Sequence, residues 1–250
     1  MTTLEHRSAP GLTLRGFTPP LRLADFKLIA FDMDSTLINI ECVDEIADAA
    51  GRKAEVAAIT EAAMRGEIAD YKASLRQRVA LLRGVPVTAL HEVYEQRLHL
   101  NPGAQTLVRA CQAAGLKTLL VSGGFTFFTD RIRDRLGLDY TRSNVLQTEG
   151  TGADERLTGR MVDQPWGDIC DGAEKRRMLL ETCARLGITP QQAIAVGDGA
   201  NDLPMLAAAG LGIAFHAKPM VAQTARHKIS TLGLDSILYL IGVRDRDLVE

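Results

Sequence analysis

The spacing of apolar residues changes twice along this chain of 250 residues. Leu28-Ile29-Ala30-Phe31 is an unbroken apolar run cut off by Asp32, which predicts a strand buried on both faces, as in the interior of a parallel sheet. From about residue 41 to 101 the spacing turns helical. Val43, Ile46, Ala47 and Ala50 recur at i, i+3, i+4 and i+7 ahead of Gly51. Val56, Ile59 and Ala63 mark a second helix, closed near Gly66, and Tyr71, Leu75, Arg78, Val79 and Leu82 a third, closed at Gly84. Residues 88–98 suggest a fourth. After Pro102 strands and helices alternate: helix 103–114, strand 118–121, helix 125–136, helix 173–186, strand 193–196, helix 201–209 and strand 211–215. Residues 143–163, with glycines at 150, 152 and 159, read as a hairpin. This rhythm predicts an α/β fold, a parallel sheet covered on both faces, over residues 25–40 and 102–250. Residues 41–101 form an all-helical insertion in it. Residues 1–24, with prolines at 10, 19 and 20 and no sustained period, read as an irregular N-terminal tail.

Composition narrows this picture only slightly. Apolar residues make up 46% and charged residues 24%, enough to build a core and to exclude a disordered chain. Lysine plus arginine (29) nearly balances aspartate plus glutamate (31), so the net charge of −2 gives no global attraction to nucleic acid or an anionic membrane. Cys42, Cys111, Cys170 and Cys183 form no C-x-x-C pair and have no histidine at zinc spacing, which favours reduced thiols in a cytoplasmic protein. The N-terminus lacks a signal-peptide pattern, and apolar runs such as 237–243 are too short to span a bilayer. The expected partner is a small molecule, with no nucleic acid and no membrane. The sequence leaves open whether the chain is a monomer or a homodimer.

In an open parallel sheet, ligands bind beyond the carboxyl ends of the strands, so the residues following each strand carry the candidate chemistry. Asp32-Met33-Asp34-Ser35-Thr36 places two carboxylates at i and i+2 after the first strand. One can attack an electrophile while the other exchanges protons with the leaving group; an aspartate-capped turn is the plainer alternative. Ser122-Gly123-Gly124 offers a hydroxyl and unhindered backbone N–H groups at a helix mouth, suited to an anion or simply to a tight turn. Gly197-Asp198-Gly199-Ala200-Asn201-Asp202 adds two carboxylates and an amide after a third strand, more than a helix cap requires. Arg78 lies on the apolar face of its helix, so it faces a polar pocket or snorkels at the edge of the stripe. Glu41, Asp44, Glu45 and Asp48 form an acidic helical stripe that reads most simply as a solvated face. Lys175, beside Arg176 and Arg177, is by itself an ordinary solvated lysine.

Taken together, these strings resemble the haloacid dehalogenase superfamily and, within it, its phosphoserine-hydrolysing branch. The superfamily likeness runs through Phe31-Asp32-Met33-Asp34-Ser35-Thr36-Leu37, Val121-Ser122-Gly123-Gly124-Phe125, Lys175 and Ala195 to Asp202. The branch is marked by Glu41 with Asp44-Glu45-Ile46-Ala47, Glu61-Ala62-Ala63-Met64, Ser74-Leu75-Arg76-Gln77-Arg78 and Ala214-Phe215-His216-Ala217-Lys218-Pro219. The likeness covers roughly residues 26–240.

The resemblance implies a Rossmann-like core with a helical cap over 41–101. It also implies hydrolysis of O-phospho-L-serine to L-serine and phosphate, the last step of serine biosynthesis. Asp32 would be the nucleophile that becomes an aspartyl-phosphate, and Asp34 the acid and then the base. Mg²⁺ would be held by the side chains of Asp32 and Asp198 and the backbone carbonyl of Asp34. Ser122, Gly123 and Lys175 would hold the phosphate, with Asn201 nearby and Asp202 orienting Lys175 or a metal-bound water. Glu41 would meet the substrate ammonium and Arg78 its carboxylate, while Met64 and Tyr71 would close the pocket. The same core would also serve a phosphotransferase that passes the phosphoryl group to homoserine or another small alcohol.

Overall fold

The computed structural model describes residues 5–15, 21–64, 67–68 and 70–243, with the side chains of residues 5–9, 12–15, 63 and 64 left aside. The strands are β1 (Glu5–Ala9), β2 (Leu12–Arg15), β3 (Leu28–Phe31), β4 (Lys117–Phe125), β5 (Tyr140–Glu149), β6 (Arg156–Val162), β7 (Ala193–Gly197), β8 (Leu211–Phe215) and β9 (His227–Ile229). The α-helices are α1 (Cys42–Ala49), α2 (Lys53–Met64), α3 (Tyr71–Ala80), α4 (Val87–Glu92), α5 (Ala104–Ala113), α6 (Thr126–Leu136), α7 (Gly172–Leu186), α8 (Leu203–Ala208), α9 (Pro219–Thr224) and α10 (Ser236–Leu240).

The strands form one sheet in the order β1-β2-β9-β8-β7-β3-β4-β5-β6. It is parallel from β9 through β5 and antiparallel at both ends. The continuous apolar runs are explained by burial on both faces. Ile29, Phe31, Ile194, Val196, Ile213 and Phe215 pack on one side with Leu107 of α5 and Phe128 and Ile132 of α6. Leu28, Ala30, Ala193 and Ala195 pack on the other with Met178 and Leu179 of α7 and Met205 and Leu206 of α8. From β3 the chain builds outward through β4 and β5, then returns to the opposite side of β3 with β7. The carboxyl ends of β3, β4 and β7 therefore meet at a topological switch point.

The helices α1 to α4 all leave and re-enter the core between β3 and β4. The two passages run side by side: Ile38 and Leu100 form an antiparallel bridge, Asn39 N–H donates to the His99 carbonyl (3.0 Å), and Asn101 N–H donates to that of Leu37 (2.9 Å). The Asn101 side chain fastens this neck by donating to the Thr36 and Ile38 carbonyls at 2.8 and 3.0 Å. The far end rests on the β5–β6 hairpin, where Gly84 N–H donates to the Leu157 carbonyl and Leu157 N–H to that of Val85, both at 2.8 Å.

Two expectations are revised. The segment 1–24 is not wholly irregular: β1 and β2 make a hairpin that joins the sheet edge through Leu12 opposite Ile229 and Thr13 opposite Lys228. The helix expected over 201–209 is a 3₁₀ turn (Ala200–Asp202) followed by α8, which Pro204 suits because the first turn has no N–H partners to lose. Beyond 215 the chain adds α9, β9 and α10, for which the pattern gave no expectation. Among the described residues no helix is long and apolar enough to cross a membrane.

Candidate active site

The site begins where β3 ends. Asp32 N–H donates to the Val196 carbonyl (2.9 Å), continuing the β3–β7 ladder by one residue, and the chain then turns sharply. Asp34 is extended, Ser35 takes the left-handed conformation (φ 55°), and Ser35 N–H closes the turn on the Ile40 carbonyl (3.1 Å). A non-glycine residue there carries strain that the surrounding contacts must outweigh. The turn leaves Asp32 at the strand end and swings Asp34 toward β4, where a Cβ on Gly124 would lie 3.3 Å from Asp34 Oδ2. That oxygen accepts from Cys42 N–H (3.4 Å), while Oδ1 is buried without a hydrogen-bond partner.

At the end of β4, Ser122 is buried and its Oγ accepts from Gly124 N–H at 2.8 Å. The loop is held from beneath by Asn144 of β5. Its Nδ2 donates to the Gly123 carbonyl (2.7 Å), and its Oδ1 accepts from Cys170 N–H (2.8 Å). Both bonds are buried, so Asn144→Ala would strand two backbone groups at about 1–3 kcal/mol each. We expect this variant to melt several degrees lower. An unchanged melting temperature in calorimetry would remove Asn144 from this role.

At the end of β7, Asp202 organises the loop. Its Oδ2 accepts from the N–H groups of Asp198 (3.1 Å) and Gly199 (2.9 Å). Its Oδ1 is 2.6 Å from Lys175 Nζ. This approach requires glycine at 197, where a Cβ would sit 2.4 Å from the Asp202 carboxyl carbon. Lys175 is completely buried and bridges Asp202 to Asp32 Oδ1 at 2.7 Å. Its helix, α7, is fixed by Asp171, whose side chain caps Glu174 N–H at 2.9 Å. Asn201 lies at the same turn, half-buried.

The electrostatics follow from this crowding. Burial and then Asp202 push the Asp32 carboxyl upward, against the pull of Lys175. Burial and then Glu41 raise Asp34 to about 7, and burial and then Asp202 raise Asp198 to about 7. Burial opposes charge on Lys175, but Asp202 and Asp32 outweigh it and hold the lysine protonated. Three buried carboxylates, Asp32, Asp198 and Asp202, bring one oxygen each within 4.8 Å of the others. An all-oxygen acidic cluster suits a hard divalent cation. Within this cluster both Asp202 oxygens are engaged by Lys175 and by two backbone N–H groups, and Asp32 Oδ1 is engaged by Lys175.

The helical insertion supplies the other wall. Glu41 stands at the N-terminus of α1 and its Oε1 accepts from Ser35 Oγ (2.9 Å). Tyr71, the first residue of α3, is pressed onto the β4 loop: a Cβ on Gly123 would lie 1.9 Å from its hydroxyl oxygen. In the last turn of α3, the Arg78 Nε is buried without a hydrogen-bond partner. Met64 ends α2, but its side chain is outside the described residues. Lys72 and Arg76 clasp α3 to the core by pairing with Asp168, the lysine at 2.7 Å.

Sequence reasoning missed Asn144, Asn101 and Asp168, whose partners lie far away along the chain. The acidic stripe is also not a solvated face. Glu45 and Asp48 pair with Arg97 at 2.8 and 2.5 Å. Asp44 has a buried, unpartnered Oδ1, and burial and then Glu41 raise its carboxyl while Arg78 opposes the rise.

Buried aspartates clustered at the carboxyl ends of neighbouring strands of a doubly wound sheet, bridged by an enclosed lysine, are the features on which a class can be assigned. Residues 26–210 match the haloacid dehalogenase-like hydrolase family. The chain is 73% identical over 233 residues to the phosphoserine phosphatase of Polaromonas sp. (strain JS666 / ATCC BAA-500), covering 93% of this chain and 97% of that one. Two solved structures are similar at a TM-score of 0.77. The first, a phospho-aspartyl intermediate analogue of phosphoserine phosphatase, is 38% identical, covering 86% of this chain and 99% of that one. The second, a substrate-bound phosphoserine phosphatase complex, is 37% identical, covering 86% and 98%. The chain belongs to the phosphoserine phosphatase family of haloacid dehalogenase-like hydrolases.

Proposed function

We propose that this protein hydrolyses O-phospho-L-serine to L-serine and phosphate through a phosphorylated Asp32. The observation that carries the reading is the double use of α3. It presses Tyr71 onto the loop at Gly123 and, two turns on, leaves a buried guanidinium nitrogen of Arg78 without a partner. An anion site and a carboxylate receptor thus share one enclosure, roofed by the segment 41–101 acting as a cap.

In the first step an Asp32 oxygen attacks phosphorus and the bond from phosphorus to the serine oxygen breaks. Asp34, whose pKa of about 7 lets it carry a proton at neutral pH, protonates that oxygen. In the second step Asp34 takes a proton from water, the water oxygen attacks phosphorus, and Asp32 is released with inorganic phosphate. Lys175, Ser122 and the Gly123 loop hold the phosphoryl oxygens, and Asp202 fixes Lys175. Glu41 takes the substrate ammonium and Arg78 the carboxylate, for which a planar fork is better suited than a lysine. Mg²⁺, held by the side chains of Asp32 and Asp198 and the carbonyl of Asp34, would supply positive charge to offset the negative charge that grows on the phosphoryl oxygens. Four buried, unbridged cysteines support a cytoplasmic setting.

The direct test is phosphate release from L-phosphoserine against glycerol, sugar, nucleotide and aryl phosphates, with and without excess homoserine. Preference for phosphoserine with stoichiometric free phosphate is expected; quantitative transfer to homoserine would make the protein a phosphotransferase instead.

The metal assignment gives a second test with a known sign. Asp34 and Asp198 stand near 7 in the folded protein and 3.8 in the free residue. Between those values the folded state holds more protons than the unfolded, so the metal-free protein loses stability as pH rises through that window. A divalent cation replaces those protons, so Mg²⁺ should raise the melting temperature by several degrees at pH 8 and by less at pH 5.5. EDTA should abolish turnover and Mg²⁺ restore it. A melting temperature indifferent to Mg²⁺ at pH 8 would contradict the site.

A further inference from the structure

Lys218 follows β8 on the sheet, yet its side chain reaches Glu41 at the start of α1. The loop that carries it is unusually well fixed. His216 takes a left-handed conformation (φ 43°), its ring stacks on Phe215 with centroids 4.0 Å apart, and its Nε2 lies 2.9 Å from the Leu232 carbonyl. Its N–H also donates to the Ile229 carbonyl at 2.8 Å. Two residues later, Lys218 N–H donates to the Asp198 carbonyl (3.3 Å), and Pro219 opens α9. The backbone of Lys218 is therefore tied to the same loop that carries the metal-site aspartate. Its Nζ lies 3.9 Å from Glu41 Oε1, the oxygen that also accepts from Ser35 Oγ. Both described partners of the Glu41 carboxylate thus sit on Oε1, and Oε2 is left for an incoming cation.

We propose that Lys218 is a positioning residue for recognition of the substrate amino group, holding Glu41 Oε1 from the core so that Oε2 meets the ammonium. The inference rests on the reading that Glu41 binds that ammonium. Charge gives the arrangement a reason. Glu41 stands close enough to Asp34, Asp44 and Asp198 to disfavour ionisation of each, and Lys218 opposes that effect at Asp44 and Asp198. A rim cation tied to Oε1 keeps the carboxylate oriented among like charges without occupying the atom the substrate needs. It also links the amino-group receptor in the cap to the core, so the receptor is set only when the two are docked.

The pair is partly solvated, with side chains 61% and 36% exposed, so its effect should be modest. In the full-length protein with Mg²⁺, Lys218→Met should lower the ratio of kcat/KM for L-phosphoserine to kcat/KM for p-nitrophenyl phosphate by about three- to fivefold. The loss should appear in the phosphoserine KM with kcat little changed. Lys218→Arg should recover most of it. In a Glu41→Gln background, Lys218→Met should leave the ratio where Glu41→Gln alone put it. Equal losses on both substrates would overturn the proposal, because a structural or phosphate-directed role moves both. A ratio unchanged in Lys218→Met while Glu41→Gln lowers it would overturn the role of Lys218 and leave the ammonium reading standing. A ratio that Glu41→Gln does not move would overturn the ammonium reading, and this inference with it.

Discussion

Asp32→Asn should reduce phosphate release from L-phosphoserine by on the order of 10⁴-fold or more, the scale seen when a covalent nucleophile is removed. An amide has no anionic oxygen to attack phosphorus, and no other described carboxylate both ends β3 and touches Lys175. Asp34 is two residues further along the turn and faces β4, and Asp202 has both oxygens engaged. The variant should nevertheless fold. Lys175 keeps Asp202 at 2.6 Å, and the substitution removes a carboxylate whose burial opposes its ionisation. A normal circular-dichroism spectrum and melting temperature with no measurable turnover is the expected pair of results. Residual turnover within tenfold of the parent would place the nucleophile elsewhere.

Arg78→Ala should separate recognition from chemistry. Its Nε is buried without a partner, an arrangement that costs free energy until an anion arrives. Removing one member of a buried, hydrogen-bonded charge pair costs about 2–5 kcal/mol, so kcat/KM for phosphoserine should fall by on the order of 10²–10³-fold. An aryl phosphate has no carboxylate to lose and should fall by only a few-fold. Arg78→Lys should rescue poorly, since a point charge does not reproduce the fork. Losses of equal size on the two substrates would make Arg78 a structural residue of α3.

The sequence announced those parts of the fold whose cause is local. The strand Leu28–Phe31 is apolar throughout because alternate residues face two different cores, and its boundaries were legible to the residue. The helix α1 was legible because Val43, Ile46 and Ala47 bury one stripe of it. The N-terminal hairpin was not, because its partner strand β9 lies more than two hundred residues further along the chain. The site divides in the same way. Asp32, Asp34 and Asp198 stand directly after buried strands, where a polar residue is conspicuous. Lys175 does not stand out beside Arg176 and Arg177, and only the family likeness selected it; the fold shows it wholly enclosed. Asn144 was invisible because its two partners are 21 and 26 residues away and are backbone groups. The acidic stripe of α1 misled because spacing shows which residues share a face, not what that face meets. Arg97, 49 and 52 residues away in sequence, covers part of it.

The central claim is that one enclosure reads a phosphate, an ammonium and a carboxylate together. The most direct measurement compares kcat/KM for L-phosphoserine with that for phosphoethanolamine, which lacks the carboxylate, and 3-phosphoglycerate, which carries a hydroxyl in place of the ammonium. Both analogues keep the same phosphate monoester, so the reacting bond is constant. Losses of on the order of 10²-fold or more for each analogue are expected, the size of an unpaired buried charge. Turnover of either analogue within a few-fold of phosphoserine would contradict the account.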